Sequence, residues 1–416
     1  MQTHALALAE DLQKRGHDLR VLSYQSVTES DRVACEEIDP SLSFPVDRCL
    51  SRLGYFRNTD LVSEHVSSFR PDLIYSSTVF YGGVGEEMAI PVVCRSPGND
   101  VLRPWIAWPY RPFSKLFSKP WFESGCYKLF KRLDYPKVLE SLYYRKRREL
   151  VREAACKATL IYANSEFTAG HLERAGVSRE RISLLVGGVD AKRFRSIKGE
   201  SSPGKTNDSF VMVTACRLVH KKGIDFLIRS MPRIREKIPH AELMILGDGP
   251  KRRKYERLVS RLGLADCVTL TGRIPQKAIQ SNIRSADVFV LASRLVIDNK
   301  TGNCDAETMG RVLCEANAAS VPVVAARSGG IPSVIEDRQN GLLFESDNEE
   351  SLLAALNEVF LNRALVDRMV DAGLKKAKED FDWSVITGIH ENDFENLVGR
   401  SGSFRETEPE NKLQNV

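Results

Sequence analysis

Two glutamates eight residues apart, Glu307 and Glu315, bound the run Glu-Thr-Met-Gly-Arg-Val-Leu-Cys-Glu. The run predicts a helix starting near Thr308–Gly310, with Glu307 just outside its N-terminus. At 1.5 Å per residue the two carboxylates stand roughly 12 Å apart along the axis. Between them lie amide groups that no helical carbonyl can reach, a ready site for an anion. A nucleotide-sugar has this layout: hexose hydroxyls for one carboxylate, a diphosphate for the amides, ribose hydroxyls for the other. Carboxylates only accept, so hydroxyl donors suit them. The plainer reading is an exposed Arg311–Glu315 pair one helical turn apart. Against it, Glu315 interrupts an otherwise apolar helix, where a charge needs partners.

Arg217-Leu-Val-His-Lys-Lys-Gly223 directly follows the apolar run Phe210–Cys216. Ligands of open parallel sheets bind at the carboxyl ends of strands, so Arg217 and Lys222 there form a diphosphate clamp. Arginine grips bidentately and lysine adds a point charge. Gly247 lies in Leu-Gly-Asp-Gly-Pro, which reads first as a turn and second as cleft lining. Arg273 lies in Thr-Gly-Arg-Ile, another strand end whose backbone could meet a base edge. Gly329 and Gly330 precede a helical pattern and shape the cleft rim. The single D-x-D, Asp380-Phe-Asp382, falls at a helix end and reads as capping. The seven His show no ligand spacing, so no metal or other cofactor is expected.

The elements that must position these groups alternate along the C-terminal half. Expected strands are Phe210–Cys216, Ala241–Leu246, Cys267–Leu270, Asp287–Ser293, Val321–Ala326 and Gly341–Phe344. Expected helices are Gly223–Ile238, Lys251–Leu262, Pro275–Ser285, Ile331–Glu336 and Glu349–Ala377. The strands are continuously apolar, as strands covered on both faces are. Such alternation implies right-handed crossovers and a doubly wound parallel sheet. The N-terminal half repeats the theme with a helix Met1–Arg15 and strands His17–Ser23, Leu73–Ser76, Ile90–Cys94, Ala158–Ala163 and Ile182–Val186. A parallel domain ordinarily opens with a strand, so this one is expected to lack its first strand and the loop after it. The expected units are a domain at 1–190, a linker at 191–208, a second domain at 209–378, a helix at 379–400 and a disordered tail at 401–416.

The 416 residues carry 60 Lys+Arg against 55 Asp+Glu, and 42% are hydrophobic. That length suggests two cores, and the balance excludes collagen-like and wholly disordered chains. The apolar runs are strand-length, short of the ~20 residues of a membrane span. Nine Cys with no C-x-x-C pair point to buried thiols in a reducing, cytoplasmic compartment. Residues 111–157 hold 13 Lys+Arg and 5 Asp+Glu, a net +8 interleaved with nine aromatics. The wider segment 105–157 suits peripheral contact with an anionic membrane surface. Nucleic acid is the other reading of such a patch, and no nucleic-acid fold accompanies it.

Together these motifs, with Ala-Asp-Val-Phe-Val-Leu-Ala-Ser, Gln2-Thr-His-Ala-Leu-Ala-Leu-Ala-Glu-Asp-Leu and Gly187-Gly-Val-Asp190, resemble glycosyltransferase family 4 over nearly the whole chain. The resemblance implies a GT-B fold, two Rossmann-like domains facing a cleft, and retaining hexosyl transfer from a UDP- or GDP-sugar to a glycan or lipid-linked acceptor. It places Arg217 and Lys222 on the donor diphosphate, Glu307 on the sugar and Glu315 on the ribose. Met309, Gly310, Arg311 and Val312 would meet the sugar and phosphates, with Gly247 and Arg273 lining the same pocket. Gly98 and Asp100 match the loop facing the sugar, giving Glu307, Arg217, Lys222 and Asp100 as the catalytic set. The mechanism it implies is same-face attack, without a metal, in which cations and amides stabilise the leaving diphosphate. Pro97 stands where the family commonly has His. Two alternatives stay open at this point: a nucleotide-sugar-binding relative without turnover, and a sugar-nucleotide epimerase of the same fold.

Overall fold

The computed structural model describes residues 2–26, 32, 33, 35, 39–132, 141–191 and 209–405. The chain enters through the helix Gln2–Lys14 into β1 (Val21–Tyr24), which pairs in parallel with β2 (Val46–Leu50). A separate parallel sheet follows in the order β3 (Ile74–Ser76), β4 (Val92–Ser96), β5 (Leu160–Ala163), β6 (Ile182–Leu184). All five residues of β4 are buried. Val92 and Cys94 pack with Ile161, Ala163 and the helix Tyr144–Lys157, while Val93 and Tyr162 point to the other face.

The second domain is one parallel sheet of six strands. In chain order they are β7 (Phe210–Ala215), β8 (Ala241–Leu246), β9 (Val268–Gly272), β10 (Val288–Leu291), β13 (Val323–Arg327) and β14 (Leu342–Glu345). Their spatial order is β14-β13-β10-β7-β8-β9. Successive residues of β7 serve different cores. Phe210 and Met212 pack among the helices Ile224–Lys237 and Arg252–Arg261, and Val211, Val213 and Ala215 against Arg311–Ala318. Burial on both faces is why these strands are continuously apolar.

Between β10 and β13 the chain adds a short antiparallel pair, β11 (Val296–Ile297) and β12 (Cys304–Asp305), which two-residue strands give no periodic signal to announce. The expected helix Ile331–Glu336 is a single turn, Ile331–Ser333. The expected helix Glu349–Ala377 is two, Glu349–Leu361 and Arg363–Glu379, because Asn362 leaves the helix and caps the second from Leu365 N at 3.0 Å.

The last helix, Trp383–Arg405, crosses back to the first domain. Trp383, Ile386, Phe394 and Leu397 pack on Val93, Tyr162 and Leu185, and Tyr162 Oη donates to Asp393 at 2.8 Å. It starts four residues after the expected helix and reaches Arg405, so residues 401–405 of the expected tail are helical. Residues 406–416 and all of the expected linker except Ala191 lie outside the described residues. All nine cysteines are free thiols. Among the described residues no helix is long and apolar enough to cross a membrane.

Candidate active site

The chain leaves β7 through Cys216 and Arg217 into one turn of 3-10 helix, His220–Lys222. Gly223 closes that turn at φ +65°, where a Cβ would stand 1.9 Å from the Ala292 carbonyl oxygen. Only glycine lets the loop press so closely on the end of β10. The turn sets the Lys222 ammonium against the Glu307 carboxylate, and Ser293 Oγ donates to that carboxylate at 3.5 Å. Beside it Lys221 pairs with Asp305 at 2.8 Å and donates to the Ala306 carbonyl at 3.0 Å. Burial works against the Lys222 charge, and the Glu307 carboxylate, together with Cys216 and Asp305, more than offsets it, so its pKa is raised.

The backbone of Glu307 and Thr308 rests on the paired glycines. Gly330 N donates to the Glu307 carbonyl at 2.8 Å, and a Cβ on Gly330 would stand 1.9 Å from the Thr308 oxygen. Gly310 then turns the chain at φ +89° and caps the helix Arg311–Ala318. Among the described residues the amides of Gly310, Arg311 and Val312 have no acceptor, as expected for the first turn of a helix. One turn on, the Glu315 side chain is only 13% exposed, 3.6 Å from the half-exposed Arg311. Burial raises its pKa, partly countered by Arg311. The plainer reading of an exposed pair is therefore half right: the pair forms, but its acid is buried.

Arg217 is exposed at the end of β7 and has no side-chain partner among the described residues. Arg273, exposed just after β9, is likewise unpartnered. Gly247, at φ +136°, has a structural task. A Cβ there would stand 2.1 Å from the Cys216 oxygen, so this glycine lets β8 end against the Arg217 loop.

The first domain meets this site at Thr308. Gly98, at φ +90°, leaves room for its methyl group, which a Cβ would approach to 2.4 Å. Asn164 Nδ2, at the end of β5, donates to Thr308 Oγ1 at 3.2 Å and to the Pro97 carbonyl at 3.1 Å. Two expected site residues are buried. Met309 is 6% exposed and its sulfur accepts from Gly187 N at 2.9 Å, so its side chain fills the seam. Asp100 is 6% exposed, and its oxygens accept from Ser96 Oγ at 2.6 Å, Val79 N at 3.0 Å and Thr78 Oγ1 at 3.2 Å. Those three bonds tie Asp100 to the loop that carries Gly98. Asp382 caps the last helix through Ser384 N at 3.0 Å, as its D-x-D reading implied.

Sequence reasoning missed Asn164, Thr308 and Ser293. Asn164 and Ser293 follow the ends of β5 and β10, the signal that could have marked them, whereas Thr308 follows β12, which gives none.

Two sequence profiles account for both halves of the chain: "Glycosyltransferase Family 4" matches residues 1–193, and "Glycosyl transferases group 1" matches residues 198–376. The chain belongs to glycosyltransferase family 4. It is 30% identical over 240 residues to the GDP-mannose-dependent alpha-(1-6)-phosphatidylinositol monomannoside mannosyltransferase of Mycolicibacterium smegmatis, covering 57% of this chain and 62% of the relative. The family member thus spans about three-fifths of the length of the curated relatives it matches. In fold it is similar to Anabaena Alr3699/HepE in complex with UDP, with a TM-score of 0.69, 18% identity and 95% of each chain covered. Sucrose-phosphate synthase of Thermosynechococcus elongatus gives 0.67 at 16% identity, covering 96% of this chain and 93% of that one. The architecture is GT-B, two parallel α/β domains.

Proposed function

We propose that this family 4 member transfers a hexose, with retention, from a nucleotide diphosphate sugar to a glycan or lipid-linked acceptor. One observation carries the reading: the Lys222–Glu307 pair lies beside the free amides of Gly310, Arg311 and Val312, with Glu315 a turn behind. Glu307 accepts from hexose hydroxyls, and Glu315 from the ribose. The amides, Arg217 and Lys222 take the diphosphate. Charge builds on the diphosphate as the glycosidic bond breaks, and fixed cations and oriented amides stabilise it without reorganising. The acceptor hydroxyl attacks from the face the diphosphate leaves and gives its proton to a phosphate oxygen. The same groups supply the charge neutralisation a metal would, so transfer is expected to proceed in a chelator.

The similarity to a GDP-mannose-dependent enzyme and to a fold seen with UDP makes both nucleotides donors to test. Transfer or donor hydrolysis is measured for the wild type, Glu307→Ala and Arg217→Ala. Losses in both variants support the reading, and wild-type rates in both remove it.

The basic segment supports peripheral contact with an anionic membrane at its cytoplasmic face, where a lipid-linked acceptor would be presented. Phe113 and Trp121 are each 69% exposed, Leu129 is 52% and Tyr143 40%. The segment is anchored from behind: buried Glu123 accepts from Gln25 Nε2 and Ser51 Oγ, both at 2.7 Å, and buried Arg147 donates to the Ile106 carbonyl at 2.6 Å. Basic residues around exposed aromatics on a fixed base suit an interfacial surface.

A further inference from the structure

Three consecutive residues just past β5 each touch the second domain. Asn164 Nδ2 donates to Thr308 Oγ1 at 3.2 Å, and Glu166 N donates to Ser333 Oγ at 3.0 Å. Between them, Ser165 Oγ lies 2.6 Å from where a Cβ on Gly330 would stand. These contacts fall on the two loops that hold Glu307. One is the turn that Glu307 opens. The other is the glycine pair under its backbone, which runs into the single turn Ile331–Ser333. Of the three, the Asn164 contact is the hydrogen bond made to the residue next to Glu307.

The Asn164 side chain is oriented by its own domain. It is 5% exposed. The Pro97 carbonyl, 3.1 Å away, can only accept, so the amide nitrogen faces it and the amide oxygen faces Thr168. Ser165 Oγ donates to Thr168 Oγ1 at 3.2 Å, which leaves the Thr168 proton for Asn164 Oδ1 at 2.7 Å. Ser165 is held in turn as the cap of the helix Glu166–Arg174, accepting from Thr168 N at 3.2 Å. Two bonds within the first domain therefore fix the amide and leave its second N–H aimed across the seam. On the far side, Thr308 has its methyl group against Gly98 and its hydroxyl on Asn164. Both substituents of the Thr308 Cβ are set by the first domain, while Lys222 grips the neighbouring carboxylate from the second.

We propose that Asn164 is a positioning residue for the reaction, acting through Thr308 to set the Glu307 carboxylate in its working place where the two domains meet. The proposal rests on the role given to Glu307 above. The groups assigned to the nucleotide diphosphate, Arg217, Lys222 and the amides of the helix tip, all belong to the second domain. Asn164 therefore governs the rate and leaves nucleotide affinity unchanged, because a fixed donor contributes through alignment of the reacting groups.

Wild type, Asn164→Ala, Thr308→Val, Thr308→Ser and the double variant Asn164→Ala/Thr308→Val are compared in calorimetric affinity for UDP and GDP and in turnover of GDP-mannose and UDP-glucose. Asn164→Ala and the isosteric Thr308→Val are each expected to lower kcat about tenfold or more, with donor KM and nucleotide affinity within about twofold of wild type. The double variant should be no slower than either single one, and Thr308→Ser, which keeps the hydroxyl, should stay within about threefold of wild type. Wild-type kcat in Asn164→Ala, additive losses in the double variant, or a Thr308→Ser as slow as Thr308→Val overturns the proposal. So does a loss of nucleotide affinity that matches the loss of rate, because it would make Asn164 a packing element. Should Asn164→Ala fail to fold, Thr308→Val against Thr308→Ser decides. A wild type that turns over neither donor removes the reading of Glu307 alone, and amide hydrogen exchange across residues 307–312 then tests the positioning. Faster exchange in Asn164→Ala and Thr308→Val than in wild type and Thr308→Ser supports it, and equal exchange overturns it.

Discussion

Lys222 and Glu307 form an ion pair that joins the loop after β7 to the turn before the helix Arg311–Ala318, with 14% and 15% of the two side chains exposed. The pair is a strut, and under the proposed function it also takes part in the chemistry. Lys222→Met or Glu307→Gln leaves the other charge nearly enclosed, so each is expected to lower stability by about 1–3 kcal/mol. Each is also expected to lower kcat/KM for transfer by about a hundredfold or more, the scale of removing one preorganised electrostatic group. A double-mutant cycle read by denaturant midpoint should show strong non-additivity. Additive losses would mean the two groups act apart.

The same pair sets a pH dependence. The folded pKa of Lys222 lies above its ordinary 10.5, so its contribution to stability is fully present below that value and is lost as pH rises through the folded pKa. Wild type and Lys222→Met should therefore converge in denaturant midpoint only in strongly alkaline solution. Convergence near neutrality would contradict the geometry.

Glu315 behaves in the opposite way. Burial raises its folded pKa above the ordinary 4.5, so the folded state holds a proton the unfolded state has released. Stability from this group falls as pH rises from the unfolded pKa to the folded one. Glu315→Gln is expected to melt at or above wild type at neutral pH, with the gap closing in acid, while binding of UDP or GDP weakens. A variant that melts lower at neutral pH would show the carboxylate to be structural.

Much of this was legible in the chain, and the reason is burial. Ala241–Leu246 was bounded correctly as a strand because both of its faces are covered. The strand Val46–Leu50 was not foreseen, because Asp47 and Arg48 break its apolar run, and Arg48 turns out to pair with Asp39 at 2.5 Å. The placement of Glu307, Lys222 and Glu315 was legible from spacing, since they lie on the strand ends and helix tip that spacing describes. Asn164 and Thr308, 144 positions apart, meet only because the two domains do. The surroundings of Asp100 were hidden for the same reason: the groups that bond its oxygens come from residues 78, 79 and 96.

Gly98 tests the seam. Alanine there meets both a positive φ and the Thr308 side chain at 2.4 Å. Gly98→Ala is expected to cost about 1–3 kcal/mol and to lower transfer more than the loss of folded protein explains. Wild-type stability and rate would show that the domains do not close on Thr308 in this way.

The basic segment predicts vesicle binding. Trp121→Ala and Phe113→Ala together should reduce co-sedimentation with anionic vesicles several-fold and leave the melting temperature within about 2 °C, since both rings are exposed. Equal binding to neutral and anionic vesicles, or none to either, would contradict the surface reading.

The account stands most directly on calorimetric titration of UDP and GDP into the full chain, Arg217→Ala and Lys222→Ala. It predicts that at least one nucleotide binds the wild type and that each variant loses tenfold or more in affinity. Binding of neither nucleotide, or equal binding by all three proteins, would contradict it.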